Sequence, residues 1–578
     1  MRRVVLTSVA LIVVGILSAC GGSGSSPNNP PTLTVSPATA NVQEASTQQF
    51  MATVTNGTST AVNWQVNGVA GGNSSVGTID STGLYTAPAV IPNPASATVT
   101  AVLQTDATVT GNAIVTITAV QFNNASLSGT YIFSLSGIDV NGFPFYAVGA
   151  VTADGFGHIT GGEEDLNNVS SGSFQATSVT GTYSVGPDGR GTLNLNSSIG
   201  SFSYAFAIQA LNNAELNEID NNVINATGSL EHQTAGVTAP AGNYAFGFAG
   251  NGLNCGSAIN AIGIFSLSGG NVGGLQDLNC NGTVTQSQAL GGNYTGIDAL
   301  GRGTGLFTAS TGNAGFVYYV VSANRYRFMC PNAVTFFLGS ADLQIKSSFV
   351  ASDFNGSYIV STSANTQGGV SYTLIQLNAS GGNVSSGYYD VNDTGSVQKS
   401  PLSGAYSVAS NGRINGSFTA GQLSLPFSMY LISPTQAYYL DQVTTGTGGG
   451  NVYAQGSSVT SNAAWAGSYA TKQFGYLLVG GVVRSGNSSS ISGQISADGA
   501  GTLAGTLDIN DPTNVYPGQI LQGTYSVGTV APGRTVVAIT TPADGTRNYV
   551  AYIVDQTRVL LLETDGNLVS SGNAIRQF

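Results

Sequence analysis

The sequence contains the motif Asp-x-Asn four times, at intervals of 112, 113 and 118 residues. The copies are Asp165-Leu166-Asn167, Asp277-Leu278-Asn279, Asp390-Val391-Asn392 and Asp508-Ile509-Asn510. Each copy has the same companions in the same order. Chance does not explain several elements that recur four times in one order, so most of the chain is a tandem array.

The companions of each Asp-x-Asn motif are an upstream and a downstream Gly-x-Tyr, a glycine turn with an arginine, and a closing Gly-x4-Gln. The tyrosines are Tyr131, Tyr183, Tyr244, Tyr294, Tyr358, Tyr406, Tyr469 and Tyr525. The turn arginines are Arg190, Arg302, Arg413 and Arg534. The closing glutamines are Gln233, Gln344, Gln455 and Gln577.

The pattern of apolar residues predicts an all-β protein. A chain of 578 residues is too long for one hydrophobic core. Apolar residues alternate with small polar ones, and long helical periodicity is absent after the N-terminus. Only 7% of the residues are charged, but 42% are hydrophobic, so the chain has enough apolar residues to fill cores and is not expected to be disordered.

Each repeat is expected to contain eight consecutive antiparallel strands joined by tight turns. In the first repeat they lie near 130–135, 146–152, 158–166, 178–185, 191–195, 201–208, 214–219 and 228–233. Eight such strands form a closed barrel that is either filled or holds one small ligand; a half-open sandwich is the alternative. The opening Gly-x-aromatic resembles the calycins, lipocalins and avidins, although those proteins have Gly-x-Trp where every copy here has Tyr.

The N-terminus resembles a bacterial lipoprotein signal. Arg2 and Arg3 precede the apolar run Val4 to Ala19, which ends in Leu17-Ser18-Ala19-Cys20-Gly21, a sequence similar to the lipobox. The resemblance implies cleavage before Cys20, acylation of that thiol and sorting to the outer membrane. Acyl chains on Cys20 would anchor the protein stably. Residues 1–19 are then the signal peptide and 20–32 a flexible tether.

Residues 33–120 are expected to form a β-sandwich. The segments 62–68, around Trp64, and 77–88 resemble group 2 bacterial Ig-like domains, in which Trp64 would be the core tryptophan. The four barrel repeats are then placed at 121–236, 237–347, 348–460 and 461–578. The repeats as a whole also resemble those of surface lipoproteins from soil bacteria such as Acidobacteria.

The repeated Asp and Arg are the first candidates for a site. Each pair could form a bidentate ion pair that closes one barrel end, or could bind an anionic ligand. The structural pair is preferred because repetition in four domains suggests a shared requirement of the fold. The pairs comprise Asp165, Arg190, Asp277, Arg302, Asp390, Arg413, Asp508 and Arg534. Asp-x-Asn also places two oxygens on one strand face, but the pattern lacks a complete calcium loop and favours capping of the adjacent turn.

Two further groups of residues are candidates for a catalytic or metal-binding role. The pairs Glu218/Asp220 and Glu563/Asp565 could serve a glycosidase, but the matching position is Asp441 in the third repeat and Cys330 in the second, so catalysis is not expected. Cys255, Cys280 and Cys330 should lie near one rim, with a Cys255–Cys280 disulfide preferred over a three-cysteine metal site. Tyr318-Tyr319 and Tyr438-Tyr439 could stack on sugars but are expected in the core.

The charge balance narrows the class of function. A formal net charge of −12 argues against nucleic acid as a partner. Two histidines in the whole chain leave few candidates for a general base, and no metal or cofactor is expected. We expect a non-catalytic binding or adhesion protein for carbohydrate, lipid or surface protein. A cell-envelope spacer is the alternative, and an extracellular hydrolase is a distant one.

Overall fold

The computed structural model describes residues 29–578 except 140, 169, 171, 211–212, 221–223, 253–254, 256, 333–334 and 367–368. Cys20, the signal peptide and most of the tether therefore lie outside the described residues. The described chain is all-β, as the sequence predicts, and it divides into two compact units.

The N-terminal unit comprises residues up to Val42, 46–87 and 93–117. Its strands are β1 (Thr32–Ser36), β2 (Thr39–Gln43), β3 (Thr47–Gln49), β4 (Met51–Thr55), β5 (Val62–Val66), β6 (Val69–Ala70), β7 (Gly72–Asn73), β8 (Gly77–Ile79), β9 (Leu84–Thr86), β10 (Ser96–Leu103) and β11 (Thr110–Thr118). They form the sheets β2-β11-β10-β5-β6, β3-β9-β8-β7 and β1-β4. Trp64 is buried there, and the Ig-like assignment stays a prediction.

The second unit contains four closed eight-stranded antiparallel barrels. The strands of barrel 1 are β12 (Ser128–Asp139), β13 (Pro144–Asp154), β14 (His158–Asn168), β15 (Gly172–Ser178), β16 (Thr180–Val185), β17 (Arg190–Asn196), β18 (Ser201–Ile208), β19 (Ala214–Glu218) and β20 (Ile224–His232). β15 and β16 both pair with β14, so together they take the place of one interrupted fourth strand.

Barrels 2, 3 and 4 repeat this order with an unbroken fourth strand. Barrel 2 contains β21 (Gly242–Gly252), β22 (Ser257–Ser268), β23 (Asn271–Cys280), β24 (Thr283–Tyr294), β25 (Arg302–Ala309), β26 (Gly312–Ser322), β27 (Arg325–Met329) and β28 (Thr335–Leu343). Barrel 3 contains β29 (Gly356–Thr366), β30 (Gly369–Ser380), β31 (Asn383–Asp393), β32 (Ser396–Val408), β33 (Arg413–Ala420), β34 (Leu423–Ser433), β35 (Gln436–Asp441) and β36 (Gly446–Ala454). Barrel 4 contains β37 (Ala466–Val479), β38 (Val482–Asp498), β39 (Thr502–Asn510), β40 (Val515–Val527), β41 (Arg534–Thr541), β42 (Gly545–Asp555), β43 (Arg558–Glu563) and β44 (Leu568–Arg576).

The barrel interiors are packed with side chains. Alternate residues of each opening strand point inward, as the two-residue period of a strand requires; in barrel 1 these are Tyr131, Phe133 and Leu135. Barrel 2 is packed with phenylalanines, and Phe307 stacks on Phe316 at 4.1 Å between ring centroids. The space left among the rings of barrel 2 is about 10 Å³, which is about the volume one water needs.

The repeated tyrosines hold one rim of the barrel. In barrels 1, 3 and 4 the second tyrosine reaches back to the residues that precede the opening strand: Tyr183 donates to the carbonyl of Leu127 at 2.7 Å, and Tyr525 donates to that of Trp465 at 2.7 Å. Tyr406 does the same to Phe354 at 2.7 Å. Gly-x-Tyr is therefore a structural signature of this rim.

The closing glutamine of each barrel contacts the next barrel. Gln233 Nε2 donates to the carbonyls of Leu300, at 3.0 Å, and Val320, at 2.7 Å. The equivalent bonds join Gln344 to Asn411 and Leu431, Gln455 to Pro532 and Ile553, and Gln577 to Asp188 and Ile208. Because the last pair joins barrel 4 to barrel 1, the four barrels form a closed ring.

The glycine of each Gly-Arg turn lies against the side-chain amide of this glutamine. Gly301 has φ +86°, and a Cβ added there would lie 2.5 Å from Gln233 Nε2. The same approach occurs at Gly189, Gly412 and Gly533. The Gly-Arg and Gly-x4-Gln motifs are thus two sides of one contact between barrels.

We predict that Gly301→Ala destabilises the ring by about 1–3 kcal/mol, because the new Cβ both strains the backbone and displaces the Gln233 amide. Chemical denaturation measures the loss. Gly273→Ala is the control, since Gly273 has open space around its Cβ position and no positive φ. Equal behaviour of the two variants would contradict the role given to this contact.

Candidate functional site

The repeated Asp and Arg pair between successive barrels. Arg302 of barrel 2 binds Asp165 of barrel 1 through two bonds of 2.7 Å. Arg534 binds Asp390 in the same bidentate way, at 2.8 and 2.7 Å. Arg413 binds Asp277 at 2.7 Å. Arg190 of barrel 1 reaches Asp508 of barrel 4 at 3.0 and 3.2 Å and completes the cycle.

The Asp–Arg pairs that the sequence favoured are present, but each joins two barrels and does not close the end of one. Asp165 lies on β14 beside Leu166, whose side chain fills the barrel, so the Asp165 side chain points outward. There it meets the neighbouring barrel and is fully buried. A buried carboxylate needs a partner, and the next repeat supplies the guanidinium.

Other donors complete the surroundings of each aspartate. Asp165 Oδ1 accepts from the backbone N–H of Ala176, a residue of the fourth strand with φ +48°, and Oδ2 accepts from the Tyr319 hydroxyl at 2.7 Å. Ser287 and Gly518 give their N–H groups to Asp277 and Asp508 in the same way. The carboxylate therefore holds an irregular residue of its own barrel and a side chain of the next.

The asparagine of the motif also crosses to the next barrel. Asn167 Nδ2 donates to the carbonyls of Cys330, at 3.2 Å, and Asn332, at 2.9 Å. Asn279, Asn392 and Asn510 donate to carbonyls of their following barrels. Asn279 and Asn392 additionally accept from the N–H of Gly282 and Gly395, so these two also cap their turns.

The contact between barrels 4 and 1 differs from the other three. At the position where barrels 2, 3 and 4 carry Tyr319, Tyr430 and Tyr552 next to the arginine strand, barrel 1 has Ala207. Opposite the aspartate, Val148, Ile262 and Leu374 are replaced by Ser492. The three other contacts contain apolar clusters. The described facing strands of this one bring together mainly small and polar residues, and the contact also includes the rings of Phe122 and Phe578, 6.5 Å apart between centroids.

We predict that Asp165→Ala destabilises the ring by about 3–5 kcal/mol, because it leaves a buried arginine without its partner. Asp508→Ala should cost less, about 1–2 kcal/mol, since Arg190 is more exposed than Arg302, at 22% against 13%, and keeps Asp188 at 2.9 Å. Equilibrium denaturation of the two variants compares the contacts. Equal losses would mean that the closing contact is as strong as the others.

Glu163 lies beside Asp298 near the contact of barrels 1 and 2. Burial, together with the Asp298 carboxylate, raises the pKa of Glu163 to about 7. The folded state thus favours the protonated carboxyl. Its contribution to stability is complete below pH 4.5 and is lost as the pH rises to about 7.

We predict that Glu163→Gln removes this loss. Wild type and variant should differ little at pH 4, whereas above pH 7 the variant should be more stable, by about 1 kcal/mol once solvent screening of the half-exposed group is allowed for. Melting temperatures measured from pH 4 to pH 8 test this. A constant difference between the two proteins across that range would contradict it.

Of the carboxyls that suggested glycosidase chemistry, Glu218, Asp441 and Glu563 lie on strands of separate barrels, whereas Asp220 and Asp565 lie just beyond those strands and are partly exposed. Burial raises the pKa of Glu218 to about 9 and that of Asp441 to about 6, and raises that of Glu563 well above its ordinary value. Glu218 and Asp220 interact through a backbone bond, from Asp220 N–H to a Glu218 oxygen. The arrangement does not bring a second barrel's carboxyl to either.

The cysteines and adjacent tyrosines also have structural positions. Cys255 and Cys280 form a disulfide, whereas Cys330 is free and buried, and burial raises the pKa of its thiol to about 11. Tyr318 fills barrel 2, and Tyr319 and Tyr438 lie in contacts between barrels. Within the residues that the structure describes, no cluster of three or more His, Cys, Asp or Glu could hold a metal ion.

The cavity of the second unit lies where the four barrels meet. Three adjoining cavities of about 610, 270 and 210 Å³ share lining residues: Phe474 lines all three, and Ser136 and Tyr372 line the two larger ones. We call them together the axial cavity. Its wall is formed by the second halves of the opening strands and by the neighbouring strands of all four barrels. The largest part falls in the range of small-ligand sites, about 300–1,000 Å³.

A charged cluster adjoins the smallest cavity, at the contacts of barrel 1 with barrels 2 and 4. It consists of Glu215, Glu231, Arg325, Arg327, Asp342 and Lys472, from barrels 1, 2 and 4. Lys472, which lines the smallest cavity, binds Glu215 at 2.6 Å. Burial alone would raise the pKa of Glu231, but Arg325 and Arg327 lower it to about 2. The cluster is therefore internally neutralised.

The residues around the axial cavity are not among those that the sequence pattern singled out. Equivalent positions of the opening strands carry Ser136, Ala249, Ser363 and Phe474, which share no property that a repeat search would recognise. These positions differ from one repeat to the next, whereas the inward-facing residues of the same strands stay apolar. That variation is the feature by which they differ from the repeated motifs. Sequence reasoning had no means to bring four such positions together.

Comparisons with known proteins give little guidance. No protein family and no curated protein matches the sequence. Among solved structures, the P pilus usher (PapC) translocation pore is similar over 77% of this chain and 98% of its own, with 9% identity and a TM-score of 0.13. That score is too low to support an argument. Among the described residues no helix has the length and apolar character needed to cross a membrane.

Proposed function

We propose that the protein is a lipid-anchored cell-surface binding protein without catalytic activity, and that its ligand occupies the axial cavity. The observation that carries the proposal is the cavity itself, a recess of about 610 Å³ lined by residues from all four barrels. The interiors of the barrels are occupied by side chains, so they offer a ligand far less space.

Two features support binding over catalysis. The carboxyls with strongly raised pKa values, Glu218 and Glu563, lie inside barrels and do not line the axial cavity. Among the described residues that line the largest cavity, Arg484 is the one that carries a charge. General acid and base catalysis needs a titratable group within reach of the substrate, and the described wall of this cavity does not supply a pair.

The proposed cellular location rests on the N-terminal sequence. The lipobox-like segment at Cys20 supports acylation and an outer-membrane location, with the membrane as the first partner. The net charge of −12 supports a partner other than nucleic acid. A surface protein or a carbohydrate is the partner class that fits a cavity lined mainly by uncharged polar and aromatic residues.

The alternative is a cell-envelope spacer, favoured by the use of every repeated motif in contacts that hold the ring together. The two functions differ in what the axial cavity does. A spacer needs only that the four barrels stay joined. A receptor needs the cavity to be open.

We predict that filling the cavity abolishes binding without unfolding the ring. Ala249 is exposed in the cavity wall, so Ala249→Trp should block the space. Ser526→Trp, on the exposed face of β40 and outside the cavity, is the matched control. Thermal shift of the full-length chain against polysaccharides, lipophiles and peptides is the measurement, since a ligand of the native state raises the melting temperature.

A shift seen with wild type and Ser526→Trp, and lost with Ala249→Trp, supports the axial receptor. If no class of ligand raises the melting temperature of the wild type, the spacer function replaces the receptor function. A shift that persists in Ala249→Trp would move the binding site elsewhere.

A further inference from the structure

The wall of the axial cavity has one aromatic side and one amide side. Barrel 4 contributes Phe474 and Tyr476, whose ring centroids are 5.5 Å apart with the planes nearly perpendicular. The equivalent positions of barrel 2, on the opposite side of the ring, carry Ala249 and Asn251. A flat ligand between them would meet a ring on one face and a hydrogen-bonding amide on the other.

The two remaining barrels add a second pair of rings. Tyr146 of barrel 1 and Tyr372 of barrel 3 occupy equivalent places on their second strands, opposite the motif residues Asn167 and Asn392. Both line the cavity. Barrels 1 and 3 lie across the ring from each other, so these tyrosines flank the space from opposite sides.

Free hydrogen-bonding groups lie between the rings. Ser136, Ser363 and Asn365 line the cavity and are exposed to it. The deeper parts are lined by further small polar residues, among them Thr227, Asn451 and Ser571. Hydroxyls and amides both donate and accept, which suits a ligand that carries many hydroxyl groups.

The charged cluster adjoins the smallest part of the cavity. Lys472 lines that part and binds Glu215, and Glu231 pairs with Arg325 and Arg327. An uncharged chain that enters from the side of Asn251 and Arg484 meets charged side chains there, which favours binding of a chain end over an internal stretch.

We propose that the axial cavity binds the terminal sugar units of an uncharged oligosaccharide. A pyranose ring has apolar C–H faces, which stack on aromatic rings, and a rim of hydroxyls, which the serine and asparagine side chains bind. An acyl chain would require continuous apolar walls, whereas in the two smaller parts of this cavity Thr, Ser and Asn lie among Phe474, Tyr372 and Leu560. This inference rests on the proposed function and specifies the ligand class of the same site.

The test is calorimetric titration of the full-length chain with linear glucans, and with cyclic glucans of the same number of sugars. The two share their sugar faces and hydroxyls, but the cyclic molecules have no chain end. We expect saturable binding of a linear β- or α-linked series and none of the cyclic forms. Phe474→Ala should weaken that binding by about three- to tenfold. Phe156→Ala removes a ring that is 82% exposed elsewhere on barrel 1 and should change nothing.

The outcomes separate this inference from the proposed function. Binding of a fatty acid or a peptide that Ala249→Trp abolishes, with no oligosaccharide bound, would overturn the sugar assignment and keep the axial receptor. Equal binding of linear and cyclic glucans would overturn recognition of a chain end. Tighter binding of uronic-acid oligomers, lost in Arg484→Gln, would overturn the requirement for an uncharged ligand. If no class of ligand binds, the proposed binding function itself is overturned.

Discussion

The buried ion pair between one barrel's aspartate and the next barrel's arginine is the interaction on which the second unit depends. The aspartates lie on strands whose inward-facing residues fill the barrels. The aspartate side chains themselves point outward, into contacts between barrels where water is excluded. A carboxylate in that place is costly unless it is paired and hydrogen-bonded. Each barrel supplies an aspartate to the barrel that follows it and an arginine to the one before, so the aspartate of each Asp-x-Asn motif has its arginine partner in another barrel. The need for a partner on both sides is met for all four only when the chain closes into a ring.

Ring closure explains why the strongest sequence signals are structural. The Asp-x-Asn motif, the Gly-Arg turn and the closing glutamine meet at every contact between barrels. Four rounded barrels that meet in a ring cannot fill the space at its centre. The central residues are consequently free of the constraint that preserves the motifs, and they have diverged into rings, amides and small side chains. Function is expected where the repeats differ.

The contacts between barrels are also distinguishable from one another. The outward position near the end of the closing strand is Glu231 in barrel 1, Asp342 in barrel 2 and Tyr453 in barrel 3. These residues meet Arg327, Tyr438 and Arg558 of the following barrels. If a barrel packed against a barrel other than its neighbour in the ring, these side chains would face residues that do not match them. Such mismatches disfavour alternative orders of the barrels. The contact between barrels 4 and 1, with Ser492 against a barrel that has Ala207, is the least apolar of the four. It joins the two ends of the array and forms only after all four barrels are present.

The sequence by itself determined the repeat number, the all-β class and most strands of the first barrel, because strand alternation, turn glycines and rim tyrosines are local requirements. It did not show that the fourth strand of that barrel is interrupted. It also favoured the repeated Asp and Arg as structural pairs over an anion site. It could not assign the partners, since a strand pattern shows that a residue faces outward but not what lies there. Whether Asp165 meets an arginine 25 or 137 residues away is decided by the packing of whole barrels. The axial cavity was decided by tertiary structure alone, because its walls come from four distant segments that share no motif and meet only when the ring closes.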